Sequence, residues 1–251
     1  MENKKKVDWL DWLLKILIVL GIVGTIYFGF APAKNYMTAK QEEAKIEEVA
    51  KKVVENTHDY PDVKEIKKST NEDVVGWIRV PNIDEPILQT TDNDYYLTHS
   101  LTKEYLDIGS IFLDYKASTN LDNNFNFVFG HNTYSDNKFT QLRKFSDSEF
   151  NKANKTFYIF TENNVKITYR IVGQGLIPPV FPLYTEDNVK LNVDNLTEYQ
   201  KYLKEFTDIT QEDIEDIHVD SKLAILTTCL AYNNSDGRQI VVGLEVSREQ
   251  Y

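Results

Sequence analysis

The sequence predicts a mainly β domain, either a closed barrel or a sandwich, that follows helices near the N-terminus. Three observations support this prediction: one long apolar segment near the start, a helical pattern up to about residue 70, and about eight short apolar runs after Val75. Short runs rich in β-branched and aromatic residues and bounded by turn residues are typical of strands. Eight such runs are enough to close a barrel or to form two packed sheets.

Each run is a separate predicted strand. The eight strands cover 76–80, 85–90, 109–115, 124–129, 156–161, 165–172, 222–228 and 239–246. Short helices are predicted between them at about 138–145 and 196–206, the second with apolar side chains on one face. The long connection from about Gly175 to Ser221 is a natural place for a substrate-recognition element, because long connections in compact domains are often functional.

The apolar segment from about Leu13 to Ala31 predicts a membrane anchor. Its length approaches the roughly 20 residues that span a bilayer. Three lysines, Lys4 to Lys6, precede it and favour an N-terminus inside the cell with the rest of the chain outside. The alternative is a cleaved signal peptide, because Ala31-Pro32-Ala33 resembles a cleavage site made of small residues.

A helix is predicted after this segment, over residues 34–56. Its apolar residues follow the i, i+3, i+4, i+7 spacing of one helix face, which fits a stalk or a helix packed on the domain. Coiled-coil pairing is the alternative, although fewer than four heptads are present. The predicted organisation is therefore 1–33 for the cytoplasmic tail and anchor, 34–70 for a helical segment, and 71–251 for the β domain.

Composition limits the function. The net charge of −11 argues against a nucleic-acid partner. Cys229 is the only cysteine in 251 residues, so an exported chain has no internal disulfide framework. Its thiol is either a buried apolar group or a reactive one.

Cys229, Arg238 and His131 all stand at the ends of predicted strands. Cys229 follows the strand 222–228, and Arg238 precedes the strand 239–246, so the thiol and the guanidinium would face each other across one loop. His131 follows the strand 124–129 and Gly130. A thiol, an imidazole and a guanidinium at strand ends could supply a nucleophile, a proton donor and an oxyanion partner.

From about Asn71 to Val246 the chain resembles the sortase family, and class B in particular. The resemblance rests on the spacing of Cys229 and Arg238 and on four motifs in order. These are Val75-Gly-Trp-Ile-Arg-Val-Pro, Asp92-Asn-Asp-Tyr-Tyr-Leu, Gly109-Ser-Ile-Phe-Leu-Asp-Tyr, and Gly130-His-Asn followed by Lys138-Phe-Thr-Gln-Leu. The resemblance implies an eight-stranded sortase-like β-barrel with N-terminal helices and a helix in the long insert before the strand of Cys229.

The resemblance also implies residue roles. Cys229 matches the nucleophile, His131 the general acid/base and Arg238 the family's arginine. Ile225 departs from the commonest family pattern, which has threonine there. No cofactor is implied.

Three further residues are implied to bind substrate. Asn93 and Tyr96 match a family segment near the groove, and Thr228 matches the residue before the nucleophile. A turn and a core aromatic are the alternative interpretations of Asn93 and Tyr96. We expect no metal, because the acidic segment Asp92-Asn93-Asp94 is explained by a turn.

The family's activity implies the partners. The Cys229 thiolate would attack the threonine carbonyl of a sorting signal resembling Asn-Pro-x-Thr on a surface protein. An amine of a cell-wall precursor would then open the thioacyl intermediate, outside a cell membrane of a Gram-positive bacterium. Three alternatives stay open: a class B-like pilin polymerase, an anchored cysteine hydrolase, and a non-catalytic surface-binding module with an unreactive Cys229.

Overall fold

The computed structural model describes residues 9–56, 60–132, 138–178, 194–228 and 237–251. The chain divides into two compact units, Met1–Glu43 and Ala44–Tyr251. Helix α1 (Trp9–Asn56) forms the described part of the first unit and continues into the second. Many large apolar side chains between Trp9 and Val23 are exposed.

Among the described residues, no helix combines the length and the apolar character that crossing a bilayer requires. The predicted anchor also includes residues 1–8, which lie outside the described residues, and residues 26–32, whose side chains lie outside the description.

Among the described residues, the second unit contains eight strands and several short helices. The strands are β1 (Val74–Val80), β2 (Ile83–Leu88), β3 (Phe112–Leu113), β4 (Phe125–Gly130), β5 (Thr156–Thr161), β6 (Val165–Ile177), β7 (Leu223–Thr228) and β8 (Arg238–Gln250). The helices are α2 (Val63–Ser69), α3 (Ser148–Ala153), α4 (Leu196–Phe206) and α5 (Gln211–Glu215), with 3₁₀ helices at Tyr95–Leu97 and Lys138–Ser146.

The eight strands form a closed barrel in the order β1-β2-β3-β4-β7-β8-β6-β5, and β5 pairs back onto β1. Two pairs are parallel, β2 with β3 and β4 with β7, and the remaining pairs are antiparallel. The predicted eight-stranded barrel with N-terminal helices is therefore confirmed. Closure leaves no open sheet edge along the strands.

Buried side chains form two clusters, one on each side of the sheet. One cluster draws on all eight strands and on the 3₁₀ helix Lys138–Ser146, so it fills the barrel. The other combines outward-facing strand residues with helix residues such as Ile66, Leu203 and Ile214. In β7, Ala224 and Leu226 belong to the inner cluster, whereas Leu223 and Ile225 belong to the outer one. Burial on both faces explains why this strand is a continuous apolar run instead of an alternating one.

Several element bounds differ from the sequence-based prediction. Strand β3 is only two residues long, because Ser110 donates its backbone N–H to Tyr96 and the Asp114 side chain caps a turn after Leu113. Strand β6 runs on to Ile177 because it stays paired with β8 up to Arg238. The predicted helix at 138–145 is a 3₁₀ helix, and α3 and α5 were not predicted.

A buried ion pair joins two parts of the barrel, and its removal has a predictable cost. Lys138 Nζ lies 2.6 Å from Glu85 Oε2, and the two side chains are only 3% and 13% exposed. Lys138→Met leaves the Glu85 carboxylate buried without its cation. We expect the free energy of unfolding to fall by about 3–5 kcal/mol, as urea denaturation would measure.

The double variant Lys138→Met with Glu85→Leu should recover most of that loss, because no unpaired charge remains. The exposed pair Lys152–Glu149 provides the control. Lys152→Met should change the free energy of unfolding by less than about 1 kcal/mol. Equal losses for Lys138→Met and Lys152→Met would contradict this view of the buried pair.

Candidate functional site

Three neighbouring strands begin or end at the same level of the barrel. Strands β4 and β7 run parallel and in register, and their last pair is Gly130 with Thr228. The Thr228 hydroxyl accepts a hydrogen bond of 2.9 Å from the backbone N–H of Gln239 in β8. Gly130, Thr228 and Gln239 therefore lie side by side at one end of the barrel.

His131 and Arg238 are each one residue beyond this row. His131 follows Gly130, and Arg238 precedes Gln239. Strand β7 lies between their two strands. Because neighbouring strands are about 4.8 Å apart, two strand spacings separate the backbones of His131 and Arg238 by roughly 10 Å. The structure thus brings these two predicted site residues to one end of the barrel.

Cys229 lies outside the described residues. Its chain neighbour Thr228 is the last described residue before it, and the description resumes at Gly237. The predicted role of Cys229 therefore stays a prediction here.

The His131 ring has a defined hydrogen bond. Its Nε2 atom lies 2.7 Å from the carbonyl oxygen of Leu97. A carbonyl oxygen can only accept a hydrogen bond, so Nε2 must carry the proton. In the neutral ring, Nδ1 is consequently the atom with the free lone pair.

The surroundings of His131 favour its neutral form. Burial lowers the pKa of the imidazole below the usual value of 6.5. This effect is larger than the effects of the Leu97 carbonyl and of Asp107, which raise the pKa. The Leu97 carbonyl and the negative charge of Asp107 both favour the protonated ring and raise the pKa. When it forms, the imidazolium of His131 is therefore a stronger acid than that of an ordinary histidine.

Gly130 sets the place where His131 leaves the strand. A Cβ atom at Gly130 would lie 2.8 Å from Cγ of Phe139, closer than real contacts allow. Phe139 is fully buried and belongs to the cluster inside the barrel. Glycine therefore lets the end of β4 close onto this aromatic ring.

Arg238 opens β8 and pairs with Ile177 of β6. Its side chain is half-buried, and its Nε atom is buried without a hydrogen-bond acceptor among the described residues. A buried donor without a partner costs about 1–3 kcal/mol. The Nε–H group is thus suited to an oxygen atom of a ligand.

Two of the predicted substrate-binding residues bond to backbone groups. Thr228 is buried, and its hydroxyl is the acceptor for Gln239 described above. Asn93 is half-buried. Its Oδ1 accepts from the backbone N–H of Tyr115 at 3.0 Å, and its Nδ2 lies 3.3 Å from Oδ2 of Asp114.

The third predicted substrate-binding residue, Tyr96, lies in the core. Its side chain is 2% exposed. The hydroxyl accepts from Nδ2 of Asn71 at 2.9 Å and donates to Oδ2 of Asp73 at 2.8 Å. Burial raises the pKa of the Tyr96 hydroxyl above its ordinary value.

Sequence reasoning missed three contributors to this end of the barrel. The Leu97 carbonyl and Asp107 act on His131, and Gln239 joins Thr228 to β6 through a 2.9 Å bond from Nε2 to Oε1 of Gln174. A backbone carbonyl has no sequence signature, whereas the position of Gln239 next to Arg238 was a usable signal. Among the described residues, no group of three or more His, Cys, Asp or Glu side chains could hold a metal ion.

The chain is similar to sortase B proteins over most of its length. It is 27% identical to Staphylococcus aureus sortase B in an alignment of 243 residues that covers 91% of this chain and 95% of the relative. It is 28% identical to Listeria monocytogenes sortase B in an alignment of 189 residues that covers 71% of this chain and 72% of the relative. No family model matches the chain.

Solved structures extend this similarity to the fold. The crystal structure of Clostridium perfringens sortase B is 32% identical, with a TM-score of 0.60 over 73% of this chain and 99% of the other. A S. aureus sortase B–substrate complex has a TM-score of 0.69 at 22% identity, over 84% and 99% of the two chains. A sortase B complexed with triglycine has a TM-score of 0.66 at 22% identity, over 83% and 99%.

The barrel and these similarities together define a cysteine transpeptidase of the sortase class. Within that class, the chain belongs to the sortase B, or class B sortase, family.

The lowered pKa of His131 predicts a pH dependence of stability. In the unfolded chain a histidine protonates near pH 6.5, whereas the folded site resists protonation until a lower pH. The unfolded state then binds more protons, so the contribution is fully present above about pH 6.5 and is lost as the pH falls toward the folded pKa. His131→Gln should remove this part of the pH dependence, as urea denaturation at a series of values between about pH 4.5 and about pH 8 would measure.

His218→Gln, a substitution of an exposed histidine, is the matched control. The control variant should keep the wild-type slope of unfolding free energy against pH. An NMR titration midpoint for the wild-type His131 ring at or above the ordinary value of 6.5 would refute the expected direction.

Proposed function

We propose that Cys229, His131 and Arg238 are the catalytic residues of this transpeptidase. The observation in support is the common level of Gly130, Thr228 and Gln239 on three adjacent strands. One peptide bond joins Cys229 to Thr228, which keeps their Cα atoms about 3.8 Å apart. The sole thiol of the chain would therefore stand between an imidazole and a guanidinium.

In the first half-reaction, the Cys229 thiolate attacks the carbonyl carbon of a threonine in the sorting signal. The carbonyl oxygen becomes an oxyanion, and the Nε–H of Arg238, which has no acceptor among the described residues, is a suitable donor to it. The C–N bond then breaks, and the imidazolium of His131 gives its proton to the leaving amine. The lowered pKa of His131 favours this transfer, because it makes the imidazolium the stronger acid.

The second half-reaction reverses these roles. A primary amine attacks the thioester, neutral His131 takes the proton that the amine loses, and the Cys229 thiolate leaves as the new amide forms. Because Nε2–H is held by the Leu97 carbonyl, Nδ1 is the ring nitrogen that would exchange the proton. One nitrogen thus serves as acid in the first half-reaction and as base in the second.

We propose that Asn93 and Thr228 act on the substrate indirectly. Asn93 bonds to the backbone of Tyr115 and to Asp114, and Thr228 bonds to the backbone of Gln239. Both side chains would shape the groove by fixing the loops that form it. The hydroxyl of Tyr96 is engaged by Asn71 and Asp73, so Tyr96 would contribute through the loop that it anchors.

The proposed donor is a surface protein with a sorting signal resembling Asn-Pro-x-Thr, and the proposed acceptor is an amine of a cell-wall precursor. The S. aureus sortase B–substrate complex and the sortase B complexed with triglycine support these two classes of ligand. Polymerisation of pilins is the second candidate function. A Streptococcus pyogenes class B sortase involved in pilus biogenesis favours it, at 25% identity and a TM-score of 0.60 over 72% of this chain and 97% of the other.

We also propose that the enzyme acts at the cell surface, attached to the membrane through its N-terminal segment. The exposed apolar side chains from Trp9 to Val23 and the preceding lysines support attachment. Anchoring would raise the effective concentration of a membrane-bound acceptor.

Binding to lipid vesicles tests this attachment. The full chain should be retained on the vesicles, and a variant lacking residues 1–31 should not. Equal retention of both would argue against this segment as the anchor.

The catalytic proposal predicts a change of product when an amine is added. A library of peptides that contain Asn-Pro-x-Thr is incubated with the enzyme and triglycine, and it should yield peptide ligated to triglycine at the threonine. Without triglycine, the same bond should be hydrolysed slowly. Cys229→Ala should form neither product.

Arg238→Lys should lose roughly 10²-fold in rate, because lysine replaces a rigid fork of donors by a point charge. Mass spectrometry of the products measures all of these results.

Lys152→Met is a suitable control, because it removes an exposed cation of α3, outside the proposed site. Cleavage that proceeds unchanged while triglycine and diamino-acid acceptors yield no ligated peptide would identify a hydrolase. Pilin-derived lysine peptides that outcompete triglycine would favour the polymerase.

A further inference from the structure

The carbonyl groups of Tyr95 to His99 make two kinds of hydrogen bond. Four of them accept from groups of the same loop. These are Tyr95 O from the N–H of Thr98 at 3.2 Å, Tyr96 O from that of Ser110 at 2.9 Å, Thr98 O from that of Leu106 at 2.9 Å, and His99 O from the hydroxyl of Ser110 at 2.9 Å. The remaining one, Leu97 O, accepts from His131 Nε2 at 2.7 Å.

The segment 106–110 therefore holds the loop on both sides of Leu97. The backbone N–H of Leu106 donates to the carbonyl of Thr98, the residue after Leu97. The backbone N–H of Ser110 donates to the carbonyl of Tyr96, the residue before Leu97. A further bond of 2.9 Å, from the N–H of Gly109 to the carbonyl of Leu106, closes the segment into a turn. The Leu97 carbonyl is thus held between two fixed neighbours.

Gly109 lies against the carbonyl groups of Tyr96 and Leu97. A Cβ atom on Gly109 would lie 2.6 Å from the Leu97 oxygen and 2.8 Å from the Leu97 carbonyl carbon, and it would also collide with the Tyr96 oxygen. Gly109 has φ +53°, in the left-handed region. Both the contact and the dihedral angle require glycine, but only the contact bears on the direction of the Leu97 carbonyl.

We infer that Gly109 is a positioning residue for His131, because its bare Cα lets segment 106–110 support the Leu97 carbonyl that accepts the hydrogen bond from Nε2–H. This inference rests on the proposed role of His131 as acid and base. A side chain at position 109 would displace the carbonyl and release the imidazole. The ring could then place its proton on either nitrogen and turn away from the reacting groups.

Two substitutions separate the contact from the dihedral angle. Gly109→Ala introduces a Cβ atom and disfavours the positive φ, whereas Gly109→Asn introduces a Cβ atom in a residue that tolerates positive φ. If the contact matters, both variants should show the same defect. If only the turn matters, Gly109→Asn should behave like the wild type.

Gly76→Ala is the matched control. A Cβ atom at Gly76 would lie 3.0 Å from the backbone oxygen of Phe160, so this variant also presses a methyl group against a carbonyl. Gly76 is in β1, away from the end of β4. Gly76→Ala should lower the melting temperature without affecting the His131 ring.

The experiment combines imidazole ¹⁵N NMR of the full chain with transpeptidation kinetics. In the wild type, the His131 ring should be the Nε2–H tautomer. In both Gly109 variants the tautomers should mix, and kcat should fall by about tenfold or more, which is part of the roughly 10²–10⁴-fold that general acid–base catalysis contributes. The KM for the sorting peptide should change by less than about twofold, because a positioning defect affects the transition state more than binding.

A wild-type Nδ1–H tautomer would overturn the inference, and so would Gly109 variants with unchanged tautomer and kcat. If neither variant folds, the wild-type spectrum decides alone: an Nε2–H proton protected from exchange supports the inference, and its absence overturns it. Activity of Cys229→Ala would instead defeat the proposed function and leave the NMR result standing.

Discussion

The parallel, in-register pairing of β4 with β7 is the constraint on which the site depends. The two strands are nearly 100 residues apart in the sequence, yet their last pair is Gly130 with Thr228. The chain continues from these positions into His131 on one side and Cys229 on the other. A shift of one residue would turn every side chain of a strand to the opposite face of the barrel. The register is fixed because both faces of β7 are buried in different clusters.

A hydrogen bond to a side chain of β7 fixes the start of strand β8. The regular β7–β8 pairing ends with Thr227 and Ile240, and the Thr228 side chain then takes over by accepting from the Gln239 backbone. The side chain of Gln239 continues to Gln174 of β6, whose side chain in turn reaches Asp208 beyond α4. The start of β8, and with it Arg238, is therefore held from both neighbouring strands. Such support is what a guanidinium requires to act as a fixed donor.

Burial and one backbone carbonyl determine the state of His131. Its ring is half-buried, its pKa is lowered by burial, and its Nε2 proton is held by a carbonyl. Burial and the hydrogen bond have opposite effects on the pKa, and burial is the larger of the two. The result is a neutral ring of one tautomer whose protonated form is a stronger acid than an ordinary imidazolium.

The sequence predicted well those elements that local patterns determine. The bounds of β5 and α4 agree with the expected 156–161 and 196–206, because alternation and a single apolar face define them without tertiary contacts. The length of β3 could not be predicted, since Ser110 bonds to Tyr96 in place of a neighbouring strand. The place of His131 at a strand end was predictable from Gly130-His131. The Leu97 carbonyl was not, because it reaches His131 through a contact 34 residues away in the sequence.

Direct detection of the acyl-enzyme tests whether Cys229 is the nucleophile. The wild-type enzyme is mixed with an Asn-Pro-x-Thr peptide in the absence of an amine, quenched in acid, digested and mapped by mass spectrometry. We expect the peptide segment ending in threonine to be attached to the fragment that contains Cys229. Hydroxylamine should release this adduct, and triglycine added before the quench should remove it. Cleavage of the peptide without an adduct on Cys229, or with an adduct at another residue, would show that Cys229 is not the nucleophile.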